Sequence, residues 1–153
     1  MPEIERLVKF LATWGGVGNI SRAPGTLGSL AALPLCYLLS LLQGAAAWSV
    51  VAIFSVLTVG ICHLAEKIFA RKDPGCIVID EVAGQMAALA ALPFTGWTVP
   101  AGFVLFRILD IAKPPPIGWL DRRLPGGLGI TADDLAAGLM ANLILRLGLF
   151  VVC

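Results

Sequence analysis

Two long stretches of the chain, residues 23–65 and 82–106, carry no charged side chain. A charge at the centre of a bilayer costs about 2.5–3.5 kcal/mol on insertion scales, so gaps of this length mark segments suited to hydrocarbon. The first gap holds two predicted helices, 27–42 and 45–64, with Gln43-Gly44 as the turn. The second is divided by the turn signal Pro93-Phe94-Thr95-Gly96 into helices over 82–92 and 97–109. A last apolar helix is predicted over 135–152, with Asp133 or Asp134 as its N-cap. Near the start, Ile4, Leu7, Val8 and Leu11 recur at helical spacing among Glu3, Glu5, Arg6 and Lys9. That pattern suits a short helix lying in a membrane interface, and a cap helix of a soluble fold gives the same pattern. The same charges interrupt any apolar core there and exclude a cleavable signal.

The expected fold class is therefore all-α: a polytopic membrane helix bundle of about five membrane helices plus an N-terminal interfacial helix. Five spans put the polar connections 21–26, 66–81 and 107–134 on one side, and the two uncharged turns on the other. Arg6, Lys9, Arg22, Lys67, Arg71, Lys72, Arg107, Lys113, Arg122 and Arg123 all fall on the polar side, and Arg146 alone falls elsewhere. An excess of Lys and Arg marks cytoplasmic loops, which makes the polar side cytoplasmic. Trp14 and Trp119 would then lie near that interface, with Trp48 and Trp97 near the opposite one. The helices are short for this role, since a span needs roughly 20 residues. Segment 82–92 reaches only ~16 Å. It must extend back through Asp80 and Glu81, which draws both acids to headgroup depth or below, where ionisable groups are costly and usually functional.

Composition sharpens the picture. Of 153 residues, 58% are hydrophobic and 14% charged, against about 25% charged in soluble domains. The length suits one membrane-embedded domain, 1–153. A net charge of +1 offers no basic field for nucleic acid. Cys36, Cys62, Cys76 and Cys153 are widely spaced and His63 is the only histidine, so neither a zinc site nor a disulfide scaffold is expected. Buried free thiols are the better reading. No protein partner is predicted.

Three segments concentrate the chemistry. Ser21-Arg22-Ala23-Pro24-Gly25-Thr26 opens an apolar helix. Helix N-termini favour anions, so Arg22 and Thr26 are candidate phosphate ligands, although an ordinary Pro/Gly turn reads the same way. Asp80 and Glu81 are adjacent acids at the mouth of an apolar helix, and capping accounts for one of them but not readily for both. Magnesium takes carboxylate and water oxygens, often from one or two protein acids. In the third segment, Arg107, Asp110 and Lys113 follow one another at i, i+3, and share a face if the helix persists to Pro114. Asp121-Arg122-Arg123 and Asp133-Asp134 follow. Acids suit a metal, and Arg and Lys suit phosphate oxygens; together they equip metal-assisted phosphoryl chemistry.

At these segments the chain resembles the phosphatidylglycerophosphatase A family of bacterial lipid phosphatases. The resemblance rests on Ala23-Pro24-Gly25-Thr26-Leu27-Gly28-Ser29, Ile79-Asp80-Glu81 with Gly84, Phe106-Arg107-Ile108-Leu109-Asp110, Lys113-Pro114 and Pro116-Ile117. It continues through Asp121-Arg122, Gly126-Gly127, Gly129-Ile130, Asp133-Asp134 and Ala137-Gly138, in order over nearly the whole chain. Thr131 stands where the family is expected to have methionine. The resemblance implies a magnesium-dependent inner-membrane enzyme. It would remove the terminal phosphate of phosphatidylglycerophosphate to give phosphatidylglycerol; the charge pattern puts the active site on the cytoplasmic side. On the residues themselves, the candidate catalytic residues are Asp80, Glu81, Asp110 and Lys113. The phosphate ligands are Arg22, Thr26, Arg107, Lys113 and Arg122, and the metal ligands Asp80, Glu81, Asp110, Asp133 and Asp134.

Other phosphatase chemistries lack their residues. There is no Cys-x5-Arg, no Asp-x-Asp pair, no second histidine and no CDP-alcohol transferase signature. Metal-activated water or an aspartate nucleophile remains, and a crowd of acids favours water. A small transporter or channel subunit with an acidic ion site is the alternative. It would spread its charges through the membrane depth, whereas these gather at one surface.

Overall fold

The computed structural model describes residues 2–20, 22–42 and 44–152. Ser21 of the predicted phosphate loop, Gln43 of the predicted turn and Cys153 lie outside the described residues. The described chain is all-α. Its helices are α1 Pro2–Ala12, α2 Pro24–Ala31, α3 Leu33–Ser40, α4 Ala45–Phe69, α5 Ile79–Leu89, α6 Thr98–Ala112, α7 Ile117–Arg123 and α8 Gly126–Val152, with a short 3₁₀ turn at Val17–Asn19. Two of them, α4 and α8, are long and apolar enough to cross a membrane, and the α2–α3 pair is a shorter apolar segment over Pro24–Ser40.

Several boundaries differ from expectation for identifiable reasons. The predicted helix 27–42 begins earlier, with Pro24 in the first turn, where a missing N–H costs nothing. It divides before Leu33 because Pro34 lacks the N–H that would continue the ladder. α5 does run back through Asp80 and Glu81, starting at Ile79. α6 starts where the Thr95 hydroxyl accepts the Thr98 N–H at 3.1 Å. The largest correction concerns the last helix, which begins at Gly126 rather than 135. Asp133 and Asp134 are therefore not N-caps. They are buried two turns inside α8.

α5 is the central element, and of its residues only Glu81 is not buried. α8 approaches it closely enough that a Cβ on Gly138 would collide with the Gly84 carbonyl, while a Cβ on Gly84 would meet the Phe106 ring of α6 at 2.6 Å. Gly127 sits equally tight against Val59 and His63 of α4. Small residues that let helix backbones touch are the usual device for packing helices without a hydrophobic driving force.

α5 is also short, and its C-terminal carbonyls would be orphaned without partners. The Asn142 amide nitrogen donates to the carbonyls of Ala87, Ala88 and Ala90 at 3.0–3.1 Å. Arg146 donates to Asn142 Oδ1 at 2.7 Å and to the carbonyls of Ala90 and Ala91 at 3.1 Å. Arg146, the basic residue that the charge pattern left unassigned, thus belongs to a clamp on the end of α5.

On the outside, α1 buries Val8 and Ala12 against α4 and leaves Ile4, Leu7 and Phe10 exposed. The expected apolar face is split between these two surroundings. Ile53, Val56 and Leu57 on α4 and Ile108 and Ile111 on α6 also stand exposed, an outer surface suited to hydrocarbon. Among the described residues Cys36, Cys62 and Cys76 are free thiols, and the first two are buried.

Candidate active site

Three polar segments far apart in sequence meet at one end of the bundle. Ala23–Gly25, the 73–81 stretch and residues between Arg107 and Asp134 wall a cavity of about 300 Å³. Its ionisable lining is six carboxylates, Asp73, Asp80, Glu81, Asp110, Asp133 and Asp134, against two cations, Arg107 and Lys113.

Each side chain is there for a local reason. Asp80 and Glu81 occupy the first turn of α5, where the helix dipole favours negative charge. Asp134 arrives from within α8. One oxygen from each of these three acids lies within 4.8 Å of the others. Asp80 Oδ1 and Glu81 Oε2 are buried, and among the described residues neither has a hydrogen-bond partner. Unpaired buried carboxylates cost several kcal/mol or more, so native structures give them a cation or a metal. Arg107 of α6 stands beside Glu81, but its Nη1 pairs with Asp110 at 2.6 Å. The three acids can hold a metal ion, and an all-oxygen set suits a hard cation such as magnesium.

The ladder expected along α6 forms only in part. Arg107–Asp110 is the i, i+3 pair, but α6 ends at Ala112 and Lys113 takes a left-handed conformation before the prolines. Lys113 therefore swings off the helix face to Asp133 at 2.7 Å and Asp121 at 2.9 Å. Partial burial works against its charge, but the hydrogen bonds to Asp133 and Asp121 more than reverse this and raise its pKa. Asp110 and Asp133 thus line the same cavity as the three clustered acids, each engaged by a base.

The remaining predicted residues lie outside the cavity wall. Arg22 is exposed, one residue before the wall at Ala23. Arg122 is exposed on α7. Thr26 faces an apolar groove beside Arg107. Two features were not singled out as site-forming in the sequence. Asp73 lines the cavity, and its only sequence signal was its place in the polar connection 66–81. Gly25 lies so close to Glu81 that a Cβ would collide with Oε1 and stand 3.1 Å from both terminal Arg107 nitrogens.

Fold and cavity together define an apolar helical bundle with an acidic, base-bearing site at one end. Within that class the chain belongs to the phosphatidylglycerophosphatase A family, whose match covers residues 10–149. It is 45% identical over 132 residues to phosphatidylglycerophosphatase A of Escherichia coli (strain K12), covering 86% of this chain and 77% of that one. It is 39% identical over 142 residues to the enzyme of the same name from Haemophilus influenzae, covering 90% and 85%. A protein of Bacteroides thetaiotaomicron, provisionally named a phosphatidylinositol-3-phosphatase, is 32% identical over 151 residues, 93% of each chain. No solved structure matches.

Proposed function

We propose that this chain hydrolyses the terminal phosphomonoester of phosphatidylglycerophosphate, releasing phosphatidylglycerol and inorganic phosphate, with magnesium held by Asp80, Glu81 and Asp134. The observation that carries the reading is the imbalance of the cavity, six carboxylates to two cations. A phosphate dianion would be repelled from such a lining, and a divalent cation among the acids reverses the local sign. The family membership supports the phosphomonoester, and the names of two relatives support the lipid.

When bound, the cation supplies an activated water and positive charge at the phosphoryl oxygens. The protein's own groups do the rest. Arg107 and Lys113 contact the terminal phosphate and stabilise charge gathering on the leaving oxygen. Asp110 and Asp133 hold those two bases toward the cavity, and both remain candidates for further contact with the metal or its water. Arg22, beside the wall, and Arg122, on α7, serve the outer headgroup. Thr26 adds a hydroxyl at the rim.

The reading includes a single domain of five membrane helices in a bacterial inner membrane. The α2–α3 pair, α5 and α6 accompany the two long helices, with the cavity facing the cytoplasm. The apolar outer surface and the basic residues on the polar connections support it. Release of inorganic phosphate from phosphatidylglycerophosphate by the purified protein, dependent on magnesium, is the deciding experiment. A transporter would release none.

A further inference from the structure

We infer that an acyl chain of the substrate lies in the groove between the first turn of α2 and the outer face of α6. This rests on the lipid phosphatase reading above. The groove has a volume of about 390 Å³ and is walled by Thr26, Phe103, Val104, Ile108, Ile111 and Ala112. Its surface is apolar but for Thr26 and the residue at its head, Arg107. Arg107 also lines the acidic cavity, so the two spaces meet at its side chain.

The helical repeat produces this seam. Val104, Ile108 and Ile111 follow one stripe of α6 and are exposed, whereas Arg107 and Asp110 turn to the cavity. The terminal nitrogen Nη1 of Arg107 is spent on Asp110. Its Nε is buried and, among the described residues, has no acceptor. A lipid with its phosphomonoester in the cavity, beside the Arg107 guanidinium, must pass its backbone over this seam. The chain below then continues along the groove. Ile53, Val56 and Leu57 on α4 border no acidic cavity and suit bulk lipid. The occupant is therefore the substrate's own chain, located by its headgroup.

Two arms test this on the full-length protein in mixed micelles. The first uses a diazirine-bearing acyl chain on a phosphomonoester lipid. Crosslinks are expected on α6 near Val104, Ile108 and Ile111, and the same chain on a phosphocholine headgroup should lose most of that labelling. Equal labelling by both headgroups, or equal labelling of α4, overturns the inference. The second arm fills the groove with Val104→Trp or Ala112→Trp. The ratio of kcat/KM for a long-chain lipid over its dibutyryl analogue should fall about tenfold, the loss of some two methylenes of burial. An unchanged ratio overturns the inference. If the wild type cleaves neither lipid, the phosphatase reading fails instead, and the crosslinking pattern still decides the groove.

Discussion

Gly25 of α2 lies against the Glu81 carboxylate of α5, with no room for a methyl group between them. The glycine keeps a main-chain wall close to the acids and to the Arg107 guanidinium. Gly25→Ala should displace Glu81 or Arg107, because the α2 backbone cannot retreat without disturbing Gly28, itself 2.8 Å from Val78 at the Cβ position. Overpacking of this kind costs typically 1–3 kcal/mol. We expect the variant to fold and to lose activity by about tenfold or more, mostly in turnover. Wild-type turnover would show that the contact has no part in catalysis.

Asp80, Glu81 and Asp134 should act together on metal. Ligand that binds only the folded state stabilises it by about 2.7 kcal/mol at a hundred times its dissociation constant. Magnesium should therefore raise the melting temperature of wild type in detergent, and chelator should abolish both that shift and activity. Asp80→Asn should still fold and should lose the shift along with the activity. A full magnesium shift in Asp80→Asn removes that residue from the ligand set.

Lys113 yields a prediction about pH. Its folded pKa is raised, so its ion pairs stabilise the fold fully below the ordinary lysine value near 10.4, and that stability is lost only as pH rises through the higher folded value. Across the range of a rate assay it stays charged. Lys113→Met should lower the whole pH–rate profile by roughly 10- to 150-fold, the loss of one charge-assisted contact, without moving its alkaline limb. Disappearance of that limb in the variant would assign the titration to Lys113 and contradict the argument.

The clamp on α5 should be structural. Asn142→Leu leaves the Ala88 carbonyl without its side-chain donor and removes the acceptor for Arg146. Buried unsatisfied groups cost about 1–3 kcal/mol each, so a clear drop in melting temperature is expected. An unchanged melting temperature would mean that the carbonyl finds another donor.

Sidedness can be tested by thiol labelling of intact cells in a background with Cys76 replaced by serine. Gly75 has open space at its Cβ position and Trp119 is exposed, so Gly75→Cys and Trp119→Cys are tolerable probes, whereas Gly127 abuts the α4 backbone and is not. Neither probe should react from outside before the membrane is permeabilised. Efficient external labelling would reverse the proposed orientation.

Much of this was legible in the sequence because it rests on local signals. Uncharged runs located the apolar helices, proline and glycine located the breaks, and adjacent acids at a helix mouth located Asp80 and Glu81. What stayed hidden was tertiary. Asp133 and Asp134 look like a cap when only the apolar run after them is read. Gly126, Gly127 and Gly129 look like a loop until their close approaches to α4 and to Leu124 give each bare backbone a purpose. Arg146 looked anomalous because its partners, carbonyls some 55 residues away, leave no trace in composition. Lys113 was aligned with Asp110 by spacing, and a single left-handed residue redirected it.

The burial of α5 has a consequence for hydrogen exchange. Its amides are shielded by α4, α6 and α8, and its far end is tied down by Asn142, so they should exchange only when the bundle as a whole opens. Asp80 and Glu81 ride on that least yielding element, while Lys113 and Asp121 sit at the irregular corner where α6 gives way to α7. Amides at the α6–α7 corner, which lies outside regular helix, are expected to exchange faster than those of α5.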